Sequence, residues 1–578
     1  MVASISASRI RERLLASACP ALENATKTAS AKQTLHRLVK IMINIARLVA
    51  TRPYRAQRAS ETRLWQKAIT FSKVGAFAAL LTGCTTGLFE APEGFFGVVH
   101  VDEPHAALIA RDTLQTGGNA ADAATAAYFT LAATLPSSAG LGAYGSCTVF
   151  SPEKQAFERL TFYPQPSAAS GRVFPLPVGP RGIFALHARY GAQEFDPLLA
   201  AAEKLARFGD QVSRALATDL AQAPNLGPAA AKLLMPNGQR LKQGDKLAQI
   251  DLAILLARLR QDGVGSLYNG NLSKKLVAAA RSSGYSIDPA RLAAALPVWE
   301  KIDGVEHNSH RWSIVAPDLE DTAFAESALG LILDGGSWPS NDSARWHVLA
   351  EALGRSADSV GQGTRLLSGD AADRAMDSFS SSARSSAKDA AARRALLGGK
   401  DGSRAGATAF FIADRTGMSV TCALGLGRNF GSGELLAEMG FAPAVMGADR
   451  AESGGAYALT VANDNTYQLH MLSSASGGRS AISALLETAL GHWELDRPAR
   501  AAILAPRTHS FGDGSMIAEA GAQAATGGLQ GLGYAIEMRE SISRAGMFRC
   551  VEGIPQFQID CSADGDPRAL GLTLFNRN

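Results

Sequence analysis

GATAFFIADRTGMSVTCALGLGRNFGSG, residues 406–433, carries the signal that decides the fold. Phe410, Phe411 and Ile412 form an apolar run, Asp414-Arg415-Thr416-Gly417 is a turn signal, and Met418 to Leu424 is a second strand-like run. A glycine-rich loop closes the stretch. The order is strand, turn, strand, loop. Thr408 stands just ahead of the first apolar run. A cut before it would make it an N-terminal nucleophile.

Around this hairpin the chain is long enough, at 578 residues, to bury a large core. Apolar residues make up 46% and charged residues 19%, ordinary values for a folded globular chain. The net charge of +4 is unevenly spread. Residues 1–83 hold 14 Lys/Arg against 3 Asp/Glu, and the remainder is net acidic. The basicity therefore belongs to the leader and gives no reason to expect nucleic-acid binding by the rest. The ten His and the cysteines Cys147, Cys422, Cys550 and Cys561 show no metal-ligand spacing, and no cofactor motif stands out. Cys550 and Cys561 are open to pairing or to burial as free thiols.

The leader ends in a pattern of its own. Lys67 and Lys73 precede the apolar run Val74 to Leu81, and Leu81-Thr82-Gly83-Cys84 follows. A basic region, a short apolar region and Leu-x-Gly-Cys resemble a bacterial lipoprotein signal. That resemblance implies lipidation of Cys84, cleavage before it, and a chain anchored to a membrane on the periplasmic side of a bacterial envelope. The apolar run is too short to span a bilayer by itself. A short buried helix ending in Cys is the plainer alternative.

Past the leader the chain reads as three regions: 1–84 leader, 85–405, and 406–578. A strand and turn at 97–105 precede a helix over 106–116. A second helix over 119–133 starts at Asn119, a good cap. A glycine-rich loop at 137–145 and a strand at 146–150 follow. Helical patterns cover 197–208, 213–220, 247–262, 273–282 and 342–355. Residues 356–405 are rich in Ser, Ala, Asp and Arg and read as a mobile linker. The last region is strand-rich, with helices expected at 479–491 and 515–527.

Several short segments, in order along the chain, resemble the gamma-glutamyltransferase family. They include Gly117-Gly118-Asn119-Ala120-Ala121-Asp122-Ala123-Ala124, Ser137-Ser138-Ala139-Gly140-Leu141-Gly142, His347 to Arg355, Phe430-Gly431-Ser432-Gly433, Ser476-Gly477-Gly478 and Ala505-Pro506-Arg507-Thr508-His509. The resemblance implies an α/β fold of the N-terminal-nucleophile hydrolase type, an αββα four-layer sandwich. Family members cut themselves into a large and a small subunit, here 85–405 and 406–578. The new N-terminal Thr then attacks a gamma-glutamyl amide. On this pattern Thr408 is the candidate nucleophile, and Gly477 and Gly478 are the candidate oxyanion-hole amides.

The chain departs from the family where its chemistry resides. Counting back from Asp414 without a gap puts Ala407, not Thr408, on the nucleophile position. The family's Asp-Phe-Arg-Glu is Thr161-Phe162-Tyr163-Pro164, so Tyr163 offers a hydroxyl where a guanidinium would clamp the substrate carboxylate. Glu438 keeps one carboxylate for an ammonium, Ser453 stands near a Ser-Ser pair, and Arg428 is a possible replacement cation. Each also has a plain structural reading. Two functions remain open: a hydrolase acting on a gamma-glutamyl or related small-molecule amide, or a non-catalytic envelope lipoprotein that keeps the fold for binding or assembly.

Overall fold

The computed structural model describes residues 96–578 except 224–225, 336–337, 362–389, 399–405, 446–454, 555–559 and 576–578. Residue 84 lies outside the described residues, as does Ser453. Thirteen strands build two sheets: β1 (Gly97–Val101), β2 (Tyr144–Ser151), β3 (Ala156–Phe162), β4 (Val298–Lys301), β5 (Val305–His307), β6 (His310–Val315), β7 (Ala407–Asp414), β8 (Ser419–Gly425), β9 (Ala456–Asn463), β10 (Gln468–Ser476), β11 (Arg544–Ile554), β12 (Cys561–Gly565) and β13 (Leu572–Phe575). The first sheet runs β13-β1-β7-β8-β2-β3-β4 and the second β12-β11-β10-β9-β6-β5. Helices α1 (Pro104–Gln115) and α2 (Ala120–Thr134) cover the first sheet; α3 (Leu319–Asp334), α4 (Asp342–Gly361) and α5 (Ala481–Trp493) cover the second. The result is the expected αββα sandwich.

The opening stretch forms β7 and β8, paired with Thr408 opposite Leu424 and Ala413 opposite Ser419. Alternation along a strand sends successive side chains to opposite faces. Ala407 and Ala409 face the second sheet, in a cluster with Ala423, Val315, Ala456 and Ala458. Such small side chains let the sheets approach closely. Hydroxyls then bridge them: Thr421 to Thr460 at 2.9 Å and Thr148 to Ser313 at 3.0 Å. Phe410 and Ile412, on the other face, join the core under the helices.

Separate sequence motifs meet in space here. Asn119 caps α2 by accepting from the amides of Ala121 and Asp122, and Asp122 accepts from the Asn119 amide in return. The first amide of that helix, on Ala120, donates to Asp414 of the hairpin turn at 3.1 Å. The Phe430 amide donates to Ser137 O at 2.9 Å, docking the glycine-rich loop after β8 on the loop at 137–142. Gly406, at φ 61°, is required where it stands, since a Cβ there would lie 1.9 Å from Arg428 O.

Two sequence expectations change. Residues 515–527, read as a helix, begin as a strand (Ser515–Glu519) paired on both sides by Thr508–Ser510 and Ala535–Arg539. Ladder partners distant in sequence outweigh a local helical pattern there. The stretch 356–405 is also not linker throughout. α4 continues to Gly361, and Ala390–Leu397 is a helix. Leu396 and Leu397 are buried in the core of the second sheet. Arg393 donates to both carboxylate oxygens of Asp358, at 2.8 and 2.7 Å.

All four described cysteines are paired, Cys147 with Cys422 and Cys550 with Cys561. In both pairs the partners are directly opposed across neighbouring strands. The first pair joins strands far apart in sequence and has no spacing signal. Alkylation in denaturant without reductant is expected to leave these four unlabelled, with labelling only after reduction. Replacing Cys550 and Cys561 together by Ser should lower unfolding stability by about 2–3 kcal/mol, the usual effect for a short closed loop, read by urea denaturation.

Candidate active site

Asp102 leaves β1 as the strand ends and is buried between the two sheets, 2% exposed. Its Oδ2 accepts the Thr408 hydroxyl at 2.9 Å and the Ser476 hydroxyl at 2.6 Å. Arg544 donates Nε to Oδ1 at 3.2 Å and Nη2 to Oδ2 at 3.3 Å. Burial alone pushes this carboxyl up. The charge and hydrogen bonds of Arg544, with His100 and Ser476, outweigh that and hold it well below the usual carboxylate range. His100, stacked on Phe411, has its own pKa lowered by burial. The centre is thus an ionised carboxylate with one guanidinium and two hydroxyls on it.

This carboxylate reaches the candidate oxyanion turn. Ser476 ends β10, and Gly477 and Gly478 follow at φ 123° and 96°. A Cβ on Gly477 would lie 3.0 Å from Ser543 Cα, so glycine is needed for the turn and for the approach. Asp102 holds the turn on one side through Ser476. On the other side Arg479 donates Nη1 to Asp321 at 2.9 Å. Ser543 donates its hydroxyl to Gly477 O at 3.2 Å. Helix α5 starts at Ala481, and Ser480 before it gives its side chain to Ser543, 2.7 Å away, in place of capping. Amides at such a turn carry the positive end of the helix field and suit an anion.

Asp102 brings Thr408 and the Gly477–Gly478 turn into one network; the other candidates lie apart from it. Thr408 is fully buried. Tyr163 is half-buried at the end of β3, near Thr322 and Asp318, and burial raises its pKa. Arg428 donates Nε to Gly431 O at 2.9 Å and so braces its own loop. Glu438 is exposed in a turn at φ 60°. Among the described residues no group of His, Cys, Asp or Glu could hold a metal ion.

Sequence reasoning missed Asp102, Arg544 and Asp321. Asp102 lies 306 residues from Thr408 and 442 from Arg544, separations that no local periodicity reports. Its one local signal was an acid closing an apolar strand, in Val101-Asp102-Glu103-Pro104.

The comparisons with known proteins agree with this architecture. A family model described as gamma-glutamyltranspeptidase matches residues 106–469. Glutathione hydrolase 3 of Arabidopsis thaliana is 26% identical over 295 residues, which cover 48% of this chain and 45% of that protein. The acylase ACY 1 proenzyme of Pseudomonas sp. (strain V22) is 28% identical over 298 residues, 45% of this chain and 52% of that protein. These matches span about half the length of either relative. In three dimensions the cephalosporin acylase from Bacillus halodurans superposes with a TM-score of 0.68 at 17% identity, covering 85% of this chain and 98% of that one.

The buried ion pair has a testable energetic signature. Asp102→Ala leaves Arg544 buried without its partner and should cost about 3–5 kcal/mol, and the joint change Asp102→Asn, Arg544→Gln should cost clearly less. Because the folded pKa of Asp102 is depressed, its stabilisation is complete above about pH 3.9, its unfolded value, and is lost as pH falls through the folded value. Urea unfolding at neutral and acid pH should show the wild-type advantage over the joint variant shrinking at the acid end.

Proposed function

Since this chain belongs to the gamma-glutamyltranspeptidase family, we propose that it is an amide-cleaving enzyme of the N-terminal-nucleophile type, with Thr408 as nucleophile after self-cleavage between Ala407 and Thr408. The observation that carries this reading is the shared carboxylate: Thr408 and Ser476 both donate to Asp102, and Ser476 leads directly into Gly477 and Gly478. In self-cleavage the Thr408 hydroxyl attacks the Ala407 carbonyl carbon. The C–N bond breaks, nitrogen takes the hydroxyl proton, and water hydrolyses the resulting ester. In turnover the freed hydroxyl attacks the substrate amide. Its proton goes to the leaving amine, the acyl group rests on Thr408, and water releases the acid. Amides at the glycine turn would bear the charge that builds on the carbonyl oxygen.

The acyl part of the substrate is not expected to be a standard gamma-glutamyl group. Tyr163 presents a hydroxyl and no charge, and Glu438 is exposed away from Asp102's network. That loss, together with the acylases among the similar proteins, favours a related acyl amide.

A second reading has its own support. Thr408 is fully buried within an intact strand, with its hydroxyl already spent on a carboxylate. A non-catalytic relative, exported and lipid-anchored through Cys84, would keep such a threonine for structure alone. Two cross-strand disulfides suit an oxidising compartment and so support export under either reading.

A panel of acyl p-nitroanilides separates the two. The enzyme reading expects turnover that Thr408→Ala reduces at least about 10³-fold and Thr408→Ser largely retains. Identical background rates in wild type and Thr408→Ala would remove it. For export, metabolic labelling with palmitate should mark the wild type and not Cys84→Ser; an unlabelled wild type would reject the anchor.

A further inference from the structure

Beside Gly477 lies a cavity of about 190 Å³. It opens where the Arg214–Ala221 helix approaches the start of β11. Three arginines, Arg539, Arg544 and Arg568, line it with Ser480, Ser541 and Ser543. No Asp or Glu is among its lining residues. The acids that accompany these arginines are Glu537 for Arg539 at 2.8 Å, Asp102 for Arg544, and Glu519 and Asp566 for Arg568 at 2.6 and 3.1 Å. All four are absent from the lining, so the charged residues of the wall are basic, with no acid among them.

We propose that this cavity binds a small carboxylate-bearing ligand, held by Arg544 and its neighbouring serines next to the glycine turn. Guanidinium and hydroxyl donors match the in-plane lone pairs of a carboxylate. Arg544 and Ser480 are both more than nine-tenths buried, so a bound carboxylate would be only weakly screened. The place also fits the reaction. Gly477 belongs to the cavity wall, and Arg544 holds the carboxylate that accepts the Thr408 hydroxyl. A ligand acid seated here would lie beside the amides proposed to receive the oxyanion. It would supply from the second sheet the anion recognition that Tyr163 cannot. The inference deepens the proposed amide cleavage by naming an acid-bearing substrate class, and rests on that reading for its catalytic meaning.

Binding is tested without turnover. Calorimetric titration of the full chain with succinate should give saturable binding, and its neutral counterpart succinamide should give none. Ser541 is exposed, so Ser541→Glu adds an acid to the wall without disturbing the core. It should weaken succinate binding roughly tenfold through like-charge repulsion, and Ser541→Gln should stay within about twofold, since it adds no charge. Failure of the wild type to bind succinate, equal binding of succinamide, or equal effects of the two Ser541 variants would each overturn the proposal. Loss of succinate binding with anilide turnover intact rejects this site alone; succinate binding without turnover rejects the reaction alone.

Discussion

The structure around the site depends on one buried carboxylate. Asp102 lies where the first sheet ends, and its partners come from both sheets: Thr408 from the first, Ser476 and Arg544 from the second. A charge at that depth is tolerable only if nearly every lone pair is used. Four donated hydrogen bonds do this, and they fix the relative position of β1, β7, β10 and β11. The glycine turn after β10 inherits its place from them. Asp321, holding Arg479, pins the far side of the same turn. Thus a single electrostatic requirement aligns the candidate nucleophile with the candidate oxyanion amides.

Much of the scaffold was legible in the sequence because its signals are local. The hairpin of β7 and β8 follows from two apolar runs around Asp414–Gly417. Helix α2 follows from Asn119 and Asp122, which form the reciprocal cap that such a pair implies. The family's short motifs, weak one at a time, turn out to be contact points: the α2 start meets the Asp414 turn, and the loop at 137–142 meets the loop after β8. What was not legible depends on distance along the chain. The Asp102–Arg544 pair, the Cys147–Cys422 bond and the strand at 515–519 each need a partner that local pattern does not name.

The chemistry is a contest between a retained backbone and altered side chains. Gly406, Gly477 and Gly478 keep conformations that other residues would resist. Tyr163 stands where the family resemblance puts a guanidinium and carries no charge. The cavity beside Gly477, lined by Arg539, Arg544 and Arg568, is the proposed alternative grip on an acid. The proposed site, in which Thr408, Ser476 and Arg544 share Asp102, accounts for both. One point decides it: Thr408 stands one residue into β7, fully buried, and its amine exists only if the chain is cut.

Intact-mass measurement of the purified full chain after days at neutral pH tests that point most directly. The account predicts two co-purifying fragments, the second beginning at Thr408 and ending at Asn578, with Thr408→Ala left whole. A single uncut wild-type chain would contradict it.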